Sequence, residues 1–550
     1  MKKLILLLLM AHLCFSMTVV NSLDGRDVVS AVYYAAVTGE EVVISPPQYS
    51  TSLVYAKIGT GNDVLLVQSN QYPVITGMAE TIRTQGNTVE TIVSEDPYQT
   101  NLELAEKSGA KKFILVDPVY GYNTVSALAY SKSNSMYLLF ADNNNAESVV
   151  DFISGKNPED VLLYGYIDGD VKELLSDRGV KYREINNGDK FDDNLEITEL
   201  YFDKNPSKKQ VILSDGNAME DTIAAGDDPV ILISPVVPLV VSDYIEENAK
   251  SDQISVAMVV DEEYSQTAYN LKTTINKALG SEKLSVFVKI GESAGEGMGQ
   301  VGLFPLRGPI VIVEIMNVEY NSNSKELEIT YENTGNAMGY AKSSSIVFVD
   351  GSYAGTVGDE EMFPVNRGEK IGVGYPIDVE SGEISINLTT MYGASNKYPE
   401  KGIQGFFSAG RVAFTDASKL TISDFTVDSL TKDLHVTFTN AGNVTLYLNA
   451  DAVMDINGVE TKITDDNIYS LSPGEGRMVR FPGLAKEGSE ITAGADYGER
   501  EAFLDKRVEN SFTPSPESEE MQIDNTLIYG AVILILVIIV SYLIFERKKK

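Results

Sequence analysis

At 550 residues the chain is too long for a single domain, and its 79 acidic against 44 basic residues (net −35) oppose binding to nucleic acid or other polyanions. One cysteine, Cys14, and two histidines, His12 and His435, exclude a disulfide framework, a Cys/His zinc centre and a thiol nucleophile in the exported part of the chain. His435 lies in the alternating stretch LHVTFTN and reads as a structural or surface residue.

Residues 1–22 carry Lys2 and Lys3, an apolar run over 4–10, then small and polar residues, the pattern of a secretory signal. Cleavage is expected after Ser16 or near Ser22. Residues 23–93 alternate helix-like and strand-like pieces: RDVVSAVYYAAVTG, EEVVISP, TSLVYAKIG, DVLLVQS, PVITGMAETIRTQG and NTVETIV. Beside the two units after it, this one lacks a strand–helix step and reads as degenerate.

A second unit, 94–185, opens on DPYQTNLELA. Asp96 suits an N-cap, Pro97 the first helical position and Gln99 the capping-box partner. Tyr98, Leu102 and Ala105 then share a face at helical spacing. The strands KKFILVD, MYLLFAD, DVLLYGYI and KYREI come next, with helices between them. Ninety-three residues after Asp96, DKFDDNLEIT repeats the signature from Asp189, with Asp192 in the capping-box place and Phe191 and Leu195 on the repeated face. This third unit, 186–307, runs through KKQVILSD, PVILISP, QISVAMVV and LSVFVKI. The strands are continuous apolar runs, as in flavodoxin-like parallel sheets covered on both faces.

Beyond residue 308 the period changes from helix to strand. Residues 308–417 and 418–513 read as two Ig-like β-sandwiches, because LEITYENTGNAMGYA matches LHVTFTNAGNVTLYL at an offset of 107. The shared N-x-G-N (Asn333, Gly335, Asn336; Asn440, Gly442, Asn443) marks a tight turn. Residues 514–526 form a polar, acidic linker. The stretch 527–545 has no charge and is long enough to span a bilayer, and the basic tail 546–550 stays cytoplasmic. The expected topology is single-pass with the N-terminal region outside. No LPxTG-like sorting motif precedes the membrane segment, and anchoring by a helix alone is typical of archaeal surface proteins.

The triple α/β part resembles the cell-wall-binding repeat 2 family of surface proteins. Asp96-Pro97-Tyr98-Gln99-Thr100 fits that family's Asp-Arg-Tyr-x-Thr stretch with Pro replacing Arg, and Asp189-Lys190-Phe191-Asp192-Asp193 fits it more loosely. The family's glycine pair after its later strand is absent, since YGYIDGD and VVDEEYS stand there. The resemblance covers roughly residues 25–290. It implies three α/β units packed about a pseudo-threefold axis. The family's anionic wall polymer is not carried over, because so acidic a surface opposes it.

Chemical motifs give little. Gly297-x-Gly299-x-x-Gly302 has the spacing of a dinucleotide fingerprint but neither directly follows a strand nor opens a helix, so it reads as an inter-domain linker. Asp261-Glu262-Glu263, Asp359-Glu360-Glu361 and Asp465-Asp466-Asn467 supply oxygens for Ca2+ without the alternation of an EF loop, and read as solvated loops. Asp117 and Asp215 end equivalent strands and are the carboxylates an enzyme would use; their duplication favours a loop role. Asn387 and Asn443 are the acceptors of N-x-T sequons and candidate glycosylation sites. The expectation is a non-catalytic, cofactor-free, membrane-anchored cell-surface protein: an S-layer subunit or S-layer-associated protein whose partners are the membrane, other surface proteins or its own copies. The rival is an adhesin or receptor holding a glycan or a partner-cell surface through its α/β head.

Overall fold

The computed structural model describes residues 16–47, 51–260, 262–289, 302–427, 433–456, 459–465, 467–481 and 490–513. The expected linker 514–526, membrane span 527–545 and cytoplasmic tail 546–550 lie outside the described residues, as does most of the glycine-rich stretch around Gly297 and Gly299. Among the described residues no helix is long and apolar enough to cross a membrane.

Three parallel four-stranded sheets form the N-terminal part. The first contains β1 (Ser16–Asn21), β2 (Glu41–Ile44), β3 (Asp63–Ser69) and β4 (Thr88–Ser94) in the order β2-β1-β3-β4. The second contains β5 (Lys112–Val116), β6 (Tyr137–Phe140), β7 (Asp160–Tyr164) and β8 (Arg183–Ile185) in the order β6-β5-β7-β8. The third contains β9 (Gln210–Ser214), β11 (Val230–Leu232), β12 (Val256–Val259) and β13 (Ser285–Val288) in the order β11-β9-β12-β13; a two-residue strand β10 (Ala218–Met219) stands apart. Each sheet therefore has the same order, second-first-third-fourth.

This corrects the reading of the first unit as degenerate. Its missing strand is β1, which lies inside the segment 1–22 assigned to the signal. Val19 and Val20 are buried, and β1 pairs with both β2 and β3. The apolar run expected to be a signal leads into an apolar strand without a break, so composition gives no boundary there. A cut near Ser22 would remove the strand on which this sheet is built, whereas a cut after Ser16 keeps 17–21.

The Asp-capped helices do not open units. The helix Pro97–Ser108 follows β4 and the helix Lys190–Lys204 follows β8, so each links one unit to the next. In the second helix Phe191 and Leu195 are buried as expected, whereas the inward face of the first is shifted. Thr100, Asn101, Leu104 and Ala105 are buried in the first, while Tyr98 and Leu102 are only half-buried. The reason is polar. Asn101 Nδ2 donates to the Leu138 carbonyl (3.0 Å) and its Oδ1 accepts from Phe140 N–H (3.1 Å), closing the open edge of β6. Asn194 does the same to β11, through Val230 O (2.7 Å) and Leu232 N–H (2.8 Å). An edge strand covered by a helix needs partners for its backbone groups, and one amide supplies a donor and an acceptor.

The three units contact one another in a ring. Tyr33 Oη donates to Thr124 O (2.7 Å) between the first and second, Lys132 pairs with Asp227 (2.8 Å) between the second and third, and Lys57 pairs with Asp221 between the first and third. The chain leaving the third unit returns across this ring. β14 (Phe304–Pro305) pairs antiparallel with β10, and Phe304 is buried. Leu306 N–H donates to Asn217 O (2.8 Å), and Gly121 N–H donates to Arg307 O (3.1 Å). A Cβ at Gly25 would lie 3.2 Å from Leu306, and one at Gly121 would overlap the Arg307 carbonyl. Segment 304–307 thus touches all three units.

The β-rich part comes next. β15 (Val313–Asn321), β16 (Glu326–Asn333), β17 (Gly339–Val349), β18 (Ser352–Gly358), β19 (Phe363–Val365), β20 (Lys370–Pro376), β21 (Ile384–Gly393) and β22 (Lys401–Val412) make one eight-stranded sheet, order β18-β17-β21-β22-β15-β16-β20 with β19 on β17. The expected pair of facing sheets is here continuous, because β15 pairs with β22 in parallel. The last part is divided into β23 (Leu420–Val427), β24 (Leu434–Asn440) and β28 (Gly476–Phe481) in one sheet, and β25 (Leu446–Ile456), β26 (Val459–Thr464), β27 (Tyr469–Leu471), β29 (Ile491–Gly498) and β30 (Lys506–Phe512) in another. The repeated turn is tied identically in both copies. Asn333 Oδ1 accepts from Gly335 N–H (3.0 Å) and its Nδ2 donates to Ala337 O (2.8 Å) and Val365 O (2.9 Å); Asn440 does so with Gly442 (2.9 Å), Val444 (2.8 Å) and Leu471 (2.9 Å).

Candidate functional site

In parallel α/β sheets ligands meet the carboxyl ends of the strands. In the second unit those ends face the β-rich part. Asp117 follows β5, Asp142 follows β6, Tyr166 and Asp168 follow β7, and the helix cap Asp189 follows β8. Opposite stand turns and strands of the eight-stranded sheet. Tyr120 Oη accepts from Met338 N–H (3.1 Å), fixing the two parts to each other.

The second Asp-capped helix makes the main contact. Asp189 Oδ1 accepts from Phe191 N–H (2.8 Å) and Asp192 N–H (3.2 Å), as an N-cap should. Its other oxygen accepts from Ser395 Oγ in the loop after β21. Lys397 pairs with Asp192, Lys190 with Glu400 (3.2 Å), and Phe191 packs edge-on against Tyr398 (5.9 Å). In the first copy the same positions turn inward to the head. Asp96 caps Tyr98 N–H (3.0 Å), Tyr98 Oη donates to Asp142 (2.5 Å), and the Arg26 guanidinium sits 4.9 Å over the Tyr98 ring.

Two recesses lie along this seam. The larger, about 650 Å³, is lined among others by Tyr122, Tyr166, Lys190, Asp193, Tyr340 and, from the last part of the chain, Asp505. The smaller, about 180 Å³, holds Asp117, Asn143, Asp168, Asp170 and Arg367. Burial pushes the Asp117 carboxyl up to about 7; Val119 N–H, which donates to it (2.8 Å), and Arg367 oppose the shift, while Asp168 and Asp142 add to it. Burial likewise raises Asp168. Asp193 is pushed up to about 7 by burial, against the Asn187 N–H donated to it (2.6 Å) and with the help of Asp189 and Glu196. The seam therefore carries two carboxyls that exchange protons near neutrality, beside tyrosine hydroxyls, amides and lysines that can hold a polar ligand.

The residues singled out in the sequence do not converge. Asp215 is in another unit and is held by Asn217 N–H (2.9 Å) and Tyr264 Oη (3.2 Å); the recess containing Asp117 does not include it. Asp359 accepts from Ser343 N–H (2.7 Å) and Tyr375 Oη (2.9 Å), and Asp465 from Asn467 N–H (2.8 Å) and Tyr469 Oη (2.8 Å), so both carboxylates serve turns. Asp261 and Asp466 lie outside the described residues. Among the described residues no three His, Cys, Asp or Glu side chains group to hold a metal. His435 is half-buried in β24 opposite Arg480. Asn443 is exposed in its turn, and Asn387 stands in the middle of β21. Sequence reading missed Asp193, whose only signal was a carboxylate at the place held by Thr100 in the first copy.

No family model matches the chain, and no curated protein matches it. Among solved structures it is similar to Cwp8 from Clostridium difficile, with 15% identity over 48% of this chain and 47% of that one and a TM-score of 0.38. It is also similar to Cwp6 from Clostridium difficile (14% identity, 45% and 40% covered, TM-score 0.35) and, over 37% of its length, to the whole of a YadV chaperone at 10% identity and TM-score 0.14 (99% of that chain). The chain spans less than half the length of the two Clostridium proteins.

Proposed function

We propose that the chain is a non-catalytic, membrane-anchored cell-surface protein of archaeal type, a structural envelope component that is an S-layer subunit or an S-layer-associated protein. Three flavodoxin-like units packed about a pseudo-threefold axis form its head, two Ig-like modules form its stalk, and the apolar stretch 527–545 anchors it with the basic tail inside. The observation that carries this reading is segment 304–307, which joins head to stalk by contacting all three units at once. A junction tied to all three units restrains the stalk against the head, which suits a load-bearing lattice. The acidic surface, net −35, suits cation-bridged neighbours or a salty medium.

The second reading, an adhesin or receptor, is favoured by the recess of about 650 Å³ at the seam, which could hold a glycan. Cryo-tomography of intact cells, combined with protease added from outside, tests both. A lattice component gives an ordered two-dimensional array and is shaved from the cells. A sparse, shaved protein favours the adhesin. A chain that external protease cannot reach sinks both.

A further inference from the structure

The two β-rich parts cover the same face in different ways. In the eight-stranded sheet, β21 runs between β17 and β22, and its side chains alternate: Ile386, Leu388 and Thr390 are buried, while Asn387 and Thr389 point out half-exposed. Asn387 is directly opposite Ile346 on β17 and Phe406 on β22, which are 38% and 68% exposed. Three successive rows across β18, β17, β21 and β22 hold no charged residue, in a chain of which 22% is charged. At one corner Tyr353 is 67% exposed. The Asn387 amide has no hydrogen-bond partner among the described residues, although apolar side chains flank it on both sides.

In the second copy the register matches: Ala341 pairs with Tyr392 in the first sheet as Leu448 pairs with Tyr497 in the last. There the place of Asn387 is taken by Thr492, whose hydroxyl bonds Ser511 (2.7 Å). In the next row Asp451 holds Arg507 through two bonds of 2.9 Å, with Lys462 at 3.2 Å. That face is closed by its own side chains. The first is left open around a solvent-facing asparagine that begins an Asn-Leu-Thr sequon.

We propose that Asn387 carries an N-linked glycan whose first sugars lie on the apolar band of Ile346, Phe406 and Tyr353. A sugar's C–H face packs on such side chains while its hydroxyls face water, which covers the exposed Ile346, Phe406 and Tyr353. The new bond joins Asn387 Nδ2 to the anomeric carbon. The anomeric C–O bond of an exported lipid-phosphate-linked saccharide breaks, the lipid phosphate leaves with the bonding pair, and the amide proton passes to base. Transfer precedes the pairing of β21, because a transferase cannot grip a strand paired on both edges. The inference rests on the surface reading, since the donor is used outside the cytoplasm.

The full chain, purified from its own cells, is digested with trypsin and the peptide 371–397 is weighed. The expected result is a saccharide increment on Asn387 that is lost in Asn387→Gln and Thr389→Ala and retained in Thr389→Ser. Asn387→Gln should also bind more of a hydrophobic dye, and adding Phe406→Ser should reverse that rise. A bare Asn387 in protein that external protease can reach overturns the proposal while the surface reading stands. So does a saccharide found on Asn443 alone. A bare Asn387 with self-association that Phe406→Ser abolishes overturns it in favour of a second copy on this face. Failure of external protease to reach the chain counts against the surface reading itself.

Discussion

The two linking helices share a sequence signature, and they do one thing in common and one thing apart. Inward, Asn101 and Asn194 lock the same edge of the next sheet with the same pair of bonds. Outward, the first helix is consumed by its own head through Tyr98, Arg26 and Asp142, whereas the second reaches Ser395, Lys397 and Glu400 of the next part. The lesson is that a repeat is held by the side that builds the fold, and its other side is free to take on docking.

The common side should be the most fragile. Asn101→Leu and Asn194→Leu each leave a buried carbonyl and a buried N–H unpaired, and each should lower stability by about 2–4 kcal/mol in urea unfolding of the full chain. A large loss from one and a negligible loss from the other would break the equivalence. The outward difference should appear between Asp96→Ala and Asp189→Ala. Both lose an N-cap, about 1 kcal/mol. Only the second also loses Ser395, for a total of about 2 kcal/mol, and only it should speed proteolysis within 302–312.

Further effects sharpen the same contrast. Asp193 stands where the first helix has Thr100. Its folded value near 7 lies above the ordinary 3.8, so the folded chain keeps a proton that the unfolded chain releases between about pH 4 and 7. Stability therefore falls as pH rises through that window and stays lower above it. Asp193→Thr should remove that fall, so that its stability relative to the parent chain rises between pH 4 and 7 by at most about 4 kcal/mol. Asp117, shifted the same way, keeps part of the slope in the variant. Last, Lys397→Ala removes a pair whose lysine is half-exposed, and should change stability by less than about 1 kcal/mol.

The legible parts of this molecule were those with a local cause. Asp96 and Asp189 announced helices because a cap is satisfied within one turn. The apolar runs announced buried parallel strands. β1 was hidden because Met17, Val19 and Val20 continue the apolar composition of the residues before them. The inward role of Asn101 and Asn194 was hidden because helical spacing marks apolar faces, and here the buried face is partly polar. The seam carboxyls Asp117 and Asp193 were not recognisable as a pair either. Burial raises both, in recesses lined by residues brought together from distant parts of the chain, and no spacing rule reaches that far.

Segment 304–307 has a mechanical consequence. A pull from the C-terminal side meets segment 304–307, tied to all three units, before it reaches the last strand of the third unit. Tension arrives at Asn217, Gly121 and the Leu306 contact with Gly25 together, so the whole head shares the load as a knot shares it among its turns.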